Sequence, residues 1–213
     1  MGRPETDQII RAMAMGVLGN SLYNAGHNEE ALSVQDAELS AMRRAGAPEG
    51  QMLAVQGNIA NTYVMLGRHE DALLLKRDVY SGHVKLEGAE HINTLRAANN
   101  YAVSLIQLQR QKEAKALLRK TLPVARRVLG ENDETTLRMR WYYAEALYND
   151  PGATLDDLHE AVTTLEDTNR IARRVLGNAH PTTNGSEAAL RLAQAALRAR
   201  ETPPTPSESE SVA

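Results

Sequence analysis

The sequence predicts an all-α solenoid assembled from repeated helical hairpins. Three observations carry this. A short cassette returns with its alanine at Ala31, Ala72 and Ala114, spacings of 41 and 42 residues. A second cassette returns in the same phase around Gly88, Gly130 and Gly177, 42 and then 47 residues apart. Between the cassettes, apolar residues fall at helical spacing, and a fixed period of this length marks a repeat architecture.

The first helix of each hairpin is set by an i, i+1, i+4 stripe. It reads Leu18-Gly19-Leu22, Ile59-Ala60-Tyr63, Tyr101-Ala102-Leu105 and Tyr143-Ala144-Leu147. The small middle residue marks where two helix backbones approach closely. A tight turn follows, with Gly26 and Gly67 placed to end the helix in a left-handed cap. The second helices carry Ala31, Val34 and Leu39, then Ala72, Leu75 and Val79, then Ala114, Leu117 and Leu122. The five extra residues of the last spacing are expected near Asn149–Ala153, lengthening the connection inside the fourth hairpin. A last helix near Ser186–Arg200 is expected to cap the stack. A single hairpin cannot bury its apolar stripe, whereas stacked neighbours can.

Composition narrows function. The 42% hydrophobic fraction is rich in Ala and Leu, contains no Phe and only one Trp, and so suits thin helical layers. The absence of Cys excludes disulfides and thiolate chemistry and fits a reducing, intracellular and cytoplasmic setting. No apolar run approaches a membrane span. The six histidines form no H-E-x-x-H pair, and there is no phosphate loop or nucleophile elbow, so no catalytic role, cofactor or metal is expected. Residues 96–140 carry 10 basic and 4 acidic side chains. Phosphate binding wants such charge, but no aromatic residue lies between Tyr101 and Trp141 to stack on bases. An RNA-binding array is thus a weaker reading than an interaction scaffold.

The pattern L-G-x-x-x-L/Y-x-x-x-G-x-x-x-x-A resembles the tetratricopeptide repeat. The period, the segment Val175-Leu176-Gly177-Asn178-Ala179-His180-Pro181-Thr182-Thr183 and Asn99-Asn100-Tyr101-Ala102 are similar to kinesin-light-chain-like repeats. The resemblance implies a right-handed superhelical α-solenoid of about four tetratricopeptide-type helix-turn-helix repeats plus a C-terminal capping helix. By its Ser, Pro and Glu composition 201–213 is expected to be a disordered tail, and the resemblance leaves an N-terminal tail at 1–5 and the repeat domain at 6–200. It also implies a concave groove, lined by first helices, that holds a peptide or partner protein.

Counting from the buried stripe gives the candidate groove residues. One row is Asn20, Asn61, Val103 and Glu145. Asn99 and Trp141 lie a turn earlier, and Arg96 and Arg138 a further turn earlier. Met65 and Gln107 lie a turn later. An Asn amide both donates to and accepts from a peptide main chain. Arg96 and Arg138 suit carboxylates, and Trp141 offers a stacking face. Asn58 and Asn100 are expected to bond within the stack. The alternative to a scaffold that binds peptides is a structural module that self-assembles through its ends.

Overall fold

The computed structural model describes residues 3–202, with side chains from Ile10 onward except residue 12. Among the described residues every regular element is a helix. In order they are α1 (Arg3–Asn24), α2 (Asn28–Arg44), α3 (Glu49–Met65), α4 (His69–Glu87), α5 (Ile92–Gln107), α6 (Gln111–Val128), α7 (Glu134–Tyr148), α8 (Leu155–Val175) and α9 (Pro181–Glu201). The first helix begins before the tail expected at 1–5 has ended. The tail beyond Thr202 lies outside the described residues.

The chain forms two compact units, α1–α5 up to Arg110 and α6–α9 from Gln111. In the first, each helix packs on the next from α1 to α5. Its core gathers Leu32, Leu39, Met42, Val55 and Ile59, with Tyr63 and Leu75 against them. In the second, α7 packs on α6, α8 and α9. Leu118, Leu147 and Leu165 are fully buried there. Each fully buried leucine contributes about 1.5–3 kcal/mol. The close-approach residues read from the repeat, Ala60, Ala102 and Ala144, are each 0% exposed.

The inserted residues fall where the spacing put them. The connection inside a hairpin is three residues before α4 and α6 but six before α8, and α8 is itself longer. Thr154 starts α8 with a capping box: its hydroxyl accepts from the Asp157 N–H, and the Asp157 carboxylate accepts from the Thr154 N–H. The linker cassettes cap the first helices in the same way. His91 Nδ1 accepts from the Asn93 N–H, Asp133 from Thr135 and Thr136, and His180 Nδ1 from Thr182. Two cassette threonines tie the linker down, Thr94 Oγ1 donating to the Gly88 carbonyl and Thr183 Oγ1 to that of Gly177.

Hairpin turns need a left-handed residue. Gly26 and Gly67 supply it at φ +82° and +73°, but the third repeat places Gln109 there at φ +57°. A Cβ is strained in that region, so Gln109→Gly is expected to stabilise by about 1 kcal/mol, offset partly by glycine's extra freedom when unfolded. Chemical denaturation of the two proteins measures it.

α9 closes the second unit with Ala189 and Ala193 buried and an outer face of Asn184, Arg191 and Arg198 that is polar apart from Leu192, which is 58% exposed. α1 is different. Ile10, Met13 and Val17 form an apolar stripe at 58, 68 and 70% exposure.

Candidate functional site

In the first unit, α3, α4 and α5 line an open cavity of about 230 Å³. Leu53, Val79 and Ala97 form its buried apolar base. Asn58 and Asn61 line it from α3, His83 from α4, and Asn93, Arg96 and Asn100 from α5. On α5 these three lie at i, i+3 and i+7, one face of the helix. Gly50, Ala54 and Gly57 leave the α3 wall low. Among the described residues, the Asn58 and Asn61 side chains and the Arg96 guanidinium make no hydrogen bond or ion pair, so they are available to a ligand.

One end of the cavity is held by a carboxylate. Glu87 Oε2 lies 2.8 Å from His83 Nδ1 and 3.0 Å from His91 Nδ1, and Glu87 Oε1 accepts from Asn93 Nδ2 at 3.1 Å. His91 Nδ1 cannot serve both neighbours at once: without a hydrogen it accepts from the Asn93 N–H, and with one, in whichever tautomer or charge state carries it, it donates to Glu87. Desolvation raises the Glu87 pKa, but the hydrogen bonds from Asn93 and His83 and the histidine charges outweigh it, so the net shift is downward. A lowered carboxyl pKa stabilises the fold above the unfolded value and loses that contribution as pH falls through the folded one. Glu87→Gln is therefore expected to be less stable than the wild type at pH 6, with the gap closing toward pH 3. Urea melts across that range check it.

Of the residues expected to line a groove, Asn61 and Arg96 meet at this cavity. Asn99 does not: it is 3% exposed, its Nδ2 reaches Asn100 Oδ1 at 3.4 Å, and its own Oδ1 is buried without a partner. It is Asn100, with Asn58, that faces the cavity, the reverse of the expected roles. The cause is helical phase, since neighbouring residues differ by about 100° around a helix. Asn20 and Met65 are exposed on α1 and α3; Val103 is half-buried and Gln107 exposed on α5, all outside the cavity. His83 and Asn93 were not expected at the site: Glu87 holds His83 from one turn along α4 but reaches Asn93 only across the linker to α5.

The second unit holds Arg138, Trp141 and Glu145 on one face of α7, all half-buried. Trp141 stacks on Tyr142 at 4.7 Å and 21° and lies against the α9 backbone at Gly185. Its indole N–H is buried and completes no hydrogen bond. Burial raises the Glu145 carboxyl pKa, with the nearby indole N–H opposing the rise. Burial likewise raises the Tyr142 pKa against the pull of Arg138. Trp141 is thus largely a packing residue here rather than a free stacking surface.

Among the described residues no helix is long and apolar enough to cross a membrane, and no group of three His, Cys, Asp or Glu is placed to hold a metal.

These features define a helical-repeat protein of stacked hairpins. Residues 52–93 and 94–134 match the tetratricopeptide repeat family, so the chain contains tetratricopeptide repeats. No curated protein sequence matches it. Solved structures that it resembles include a Podosopora anserina protein described as a kinesin light chain of nearly identical TPR-like repeats. One structure of that protein, a variant, has TM-score 0.74 and 22% identity over 94% of this chain and 91% of that one. Another is BtubC (BKLC) from P. vanneervenii, with TM-score 0.60 and 15% identity over 93% and 85%. A third is the MamA RS-1 ArsTM double mutant, with TM-score 0.53 and 13% identity over 91% and 98%. At these identities the likeness is one of fold. Stacked repeats of this kind offer extended binding surfaces to protein partners.

Proposed function

We propose that this chain is an interaction scaffold that holds an extended segment of a partner protein at the α3–α5 cavity. The observation that carries the reading is the convergence of unengaged Asn58, Asn61 and Arg96 on one concave site. Amides supply a donor and an acceptor each, matching a peptide main chain, and Arg96 adds a grip for a carboxylate. The test is selection of randomised displayed peptides on the full chain, then titration against variants. Asn61→Ala with Arg96→Ala is expected to weaken the selected peptides roughly tenfold or more, while Asn20→Ala leaves them unchanged. Equal affinity for the double variant and the wild type would dismiss this cavity as the site.

A second reading, self-assembly through an end face, is favoured by the exposed Ile10–Met13–Val17 stripe of α1. Light scattering decides it: a mass that rises with concentration in the wild type and not in Val17→Glu supports assembly, and a constant mass in both removes it.

A further inference from the structure

Helix interiors select against glycine, which exposes backbone and loses the most conformational freedom on folding. Among the described residues, the glycines at 16, 19, 50, 57, 82 and 185 lie within helices. Most have a visible reason. A Cβ at Gly16 would come within 2.8 Å of Glu38 Oε1, and one at Gly19 within 3.0 Å of Gln35 Cγ. At Gly82 it would meet Leu53 Cδ2 at 2.6 Å, and at Gly185 the Trp141 ring at 2.1 Å. At Gly50, in the first turn of α3, Leu86 stands 3.4 Å away. Gly57 is the exception. Nothing lies within 4 Å of its Cβ position, and its backbone is ordinary helix. Among the described residues no side chain requires glycine there, yet the position opens on the cavity beside Asn58 and one turn from Asn61.

We infer that Gly57 is a specificity-determining position, kept bare so that the main chain of a bound extended peptide can lie against the α3 backbone. This rests on the peptide-binding reading above. The occupant is a main chain because the unengaged amides of Asn58 and Asn61 each offer both a donor and an acceptor, as a peptide bond does. A group of one polarity would not need that mixture. A Cβ at 57 would hold the peptide away from α3 and lengthen its hydrogen bonds to those amides. Gly57 therefore exchanges helix stability for access.

Two variants of the full chain test this, with peptides selected from a randomised displayed library on the wild type as the probe. Gly57→Ala is expected to raise Tm by about 2–4 °C, the gain of alanine over glycine in a helix. Gly57→Leu is expected to fold and to bind the selected peptides roughly tenfold or more weakly. Gln51→Leu, on α3 but off the cavity, is expected to leave peptide affinity unchanged. A fall in Tm for Gly57→Ala would overturn the inference by exposing a structural need for glycine. Undiminished affinity in Gly57→Leu would overturn it while leaving the cavity as the peptide site. Failure of the wild type to select any peptide would overturn both.

Discussion

Replacing Lys76 with methionine is expected to raise the stability of the fold by about 2–3 kcal/mol at pH 7. Lys76 sits in α4 on the face that carries Ala72, Leu73 and Val79, and is 7% exposed. No hydrogen bond or ion pair to it is made among the described residues. Burial lowers its pKa from 10.5 to about 8. Below pH 8 the ammonium is charged in both states, and the folded protein carries the full desolvation cost. Between pH 8 and 10.5 the unfolded chain binds the proton and the folded chain does not, so stability rises with pH. The gap between wild type and Lys76→Met should then shrink as pH climbs from 7 to 10. Tyrosine titration acts on both proteins alike and cancels in the difference. Urea melts at the two pH values measure the gap, and an unchanged gap would mean that the buried charge is not its source.

The other repeats explain why methionine is tolerated. The equivalent positions hold Gln35, Leu118 and Leu165, all buried. Gln35 solves its burial by accepting from Thr62 Oγ1 at 2.8 Å. Ser104 replaces Thr62 one repeat later, and its hydroxyl is buried without a partner. The second unit dispenses with polarity at this position. Lys76 and Ser104 thus mark the repeat in which neither solution is complete.

How much of this was legible in the sequence depends on distance. Period, hairpin order, the buried Ala60, Ala102 and Ala144 and the inserted loop all follow from spacing along a single helix or turn. The linker histidines also have a local physical role, as caps, although their spacing alone did not say so. Asn99 and Asn100 could not be told apart, because both are asparagine and only packing decides which turns inward. Lys76 reads as a surface charge until α4 is packed. Gly57 and Gly185 are both helix-interior glycines, and nothing along the chain says which of them a side chain crowds. One faces open space and the other an aromatic ring 44 residues away, a difference that exists only in three dimensions.

Gly185 accordingly gives the opposite result from Gly57. Gly185→Ala is expected to destabilise by about 1–3 kcal/mol, despite alanine's better helix propensity. Its Cβ would fall 2.1 Å from Trp141 Cη2 and 2.6 Å from Cζ2 and Cζ3, inside the space of the ring. The ring cannot stay, and its displacement gives up the stack on Tyr142 and the burial against α9. Trp141 is the chain's single tryptophan, so emission reports its environment without ambiguity. A red shift of native-state fluorescence should accompany the lost stability. The clash belongs to a pair, and a double-mutant cycle isolates it. In a Trp141→Leu background, where the ring atoms are gone, Gly185→Ala should become neutral or stabilising. A loss of equal size in both backgrounds would place the need for glycine in the α9 backbone and remove Trp141 from the explanation.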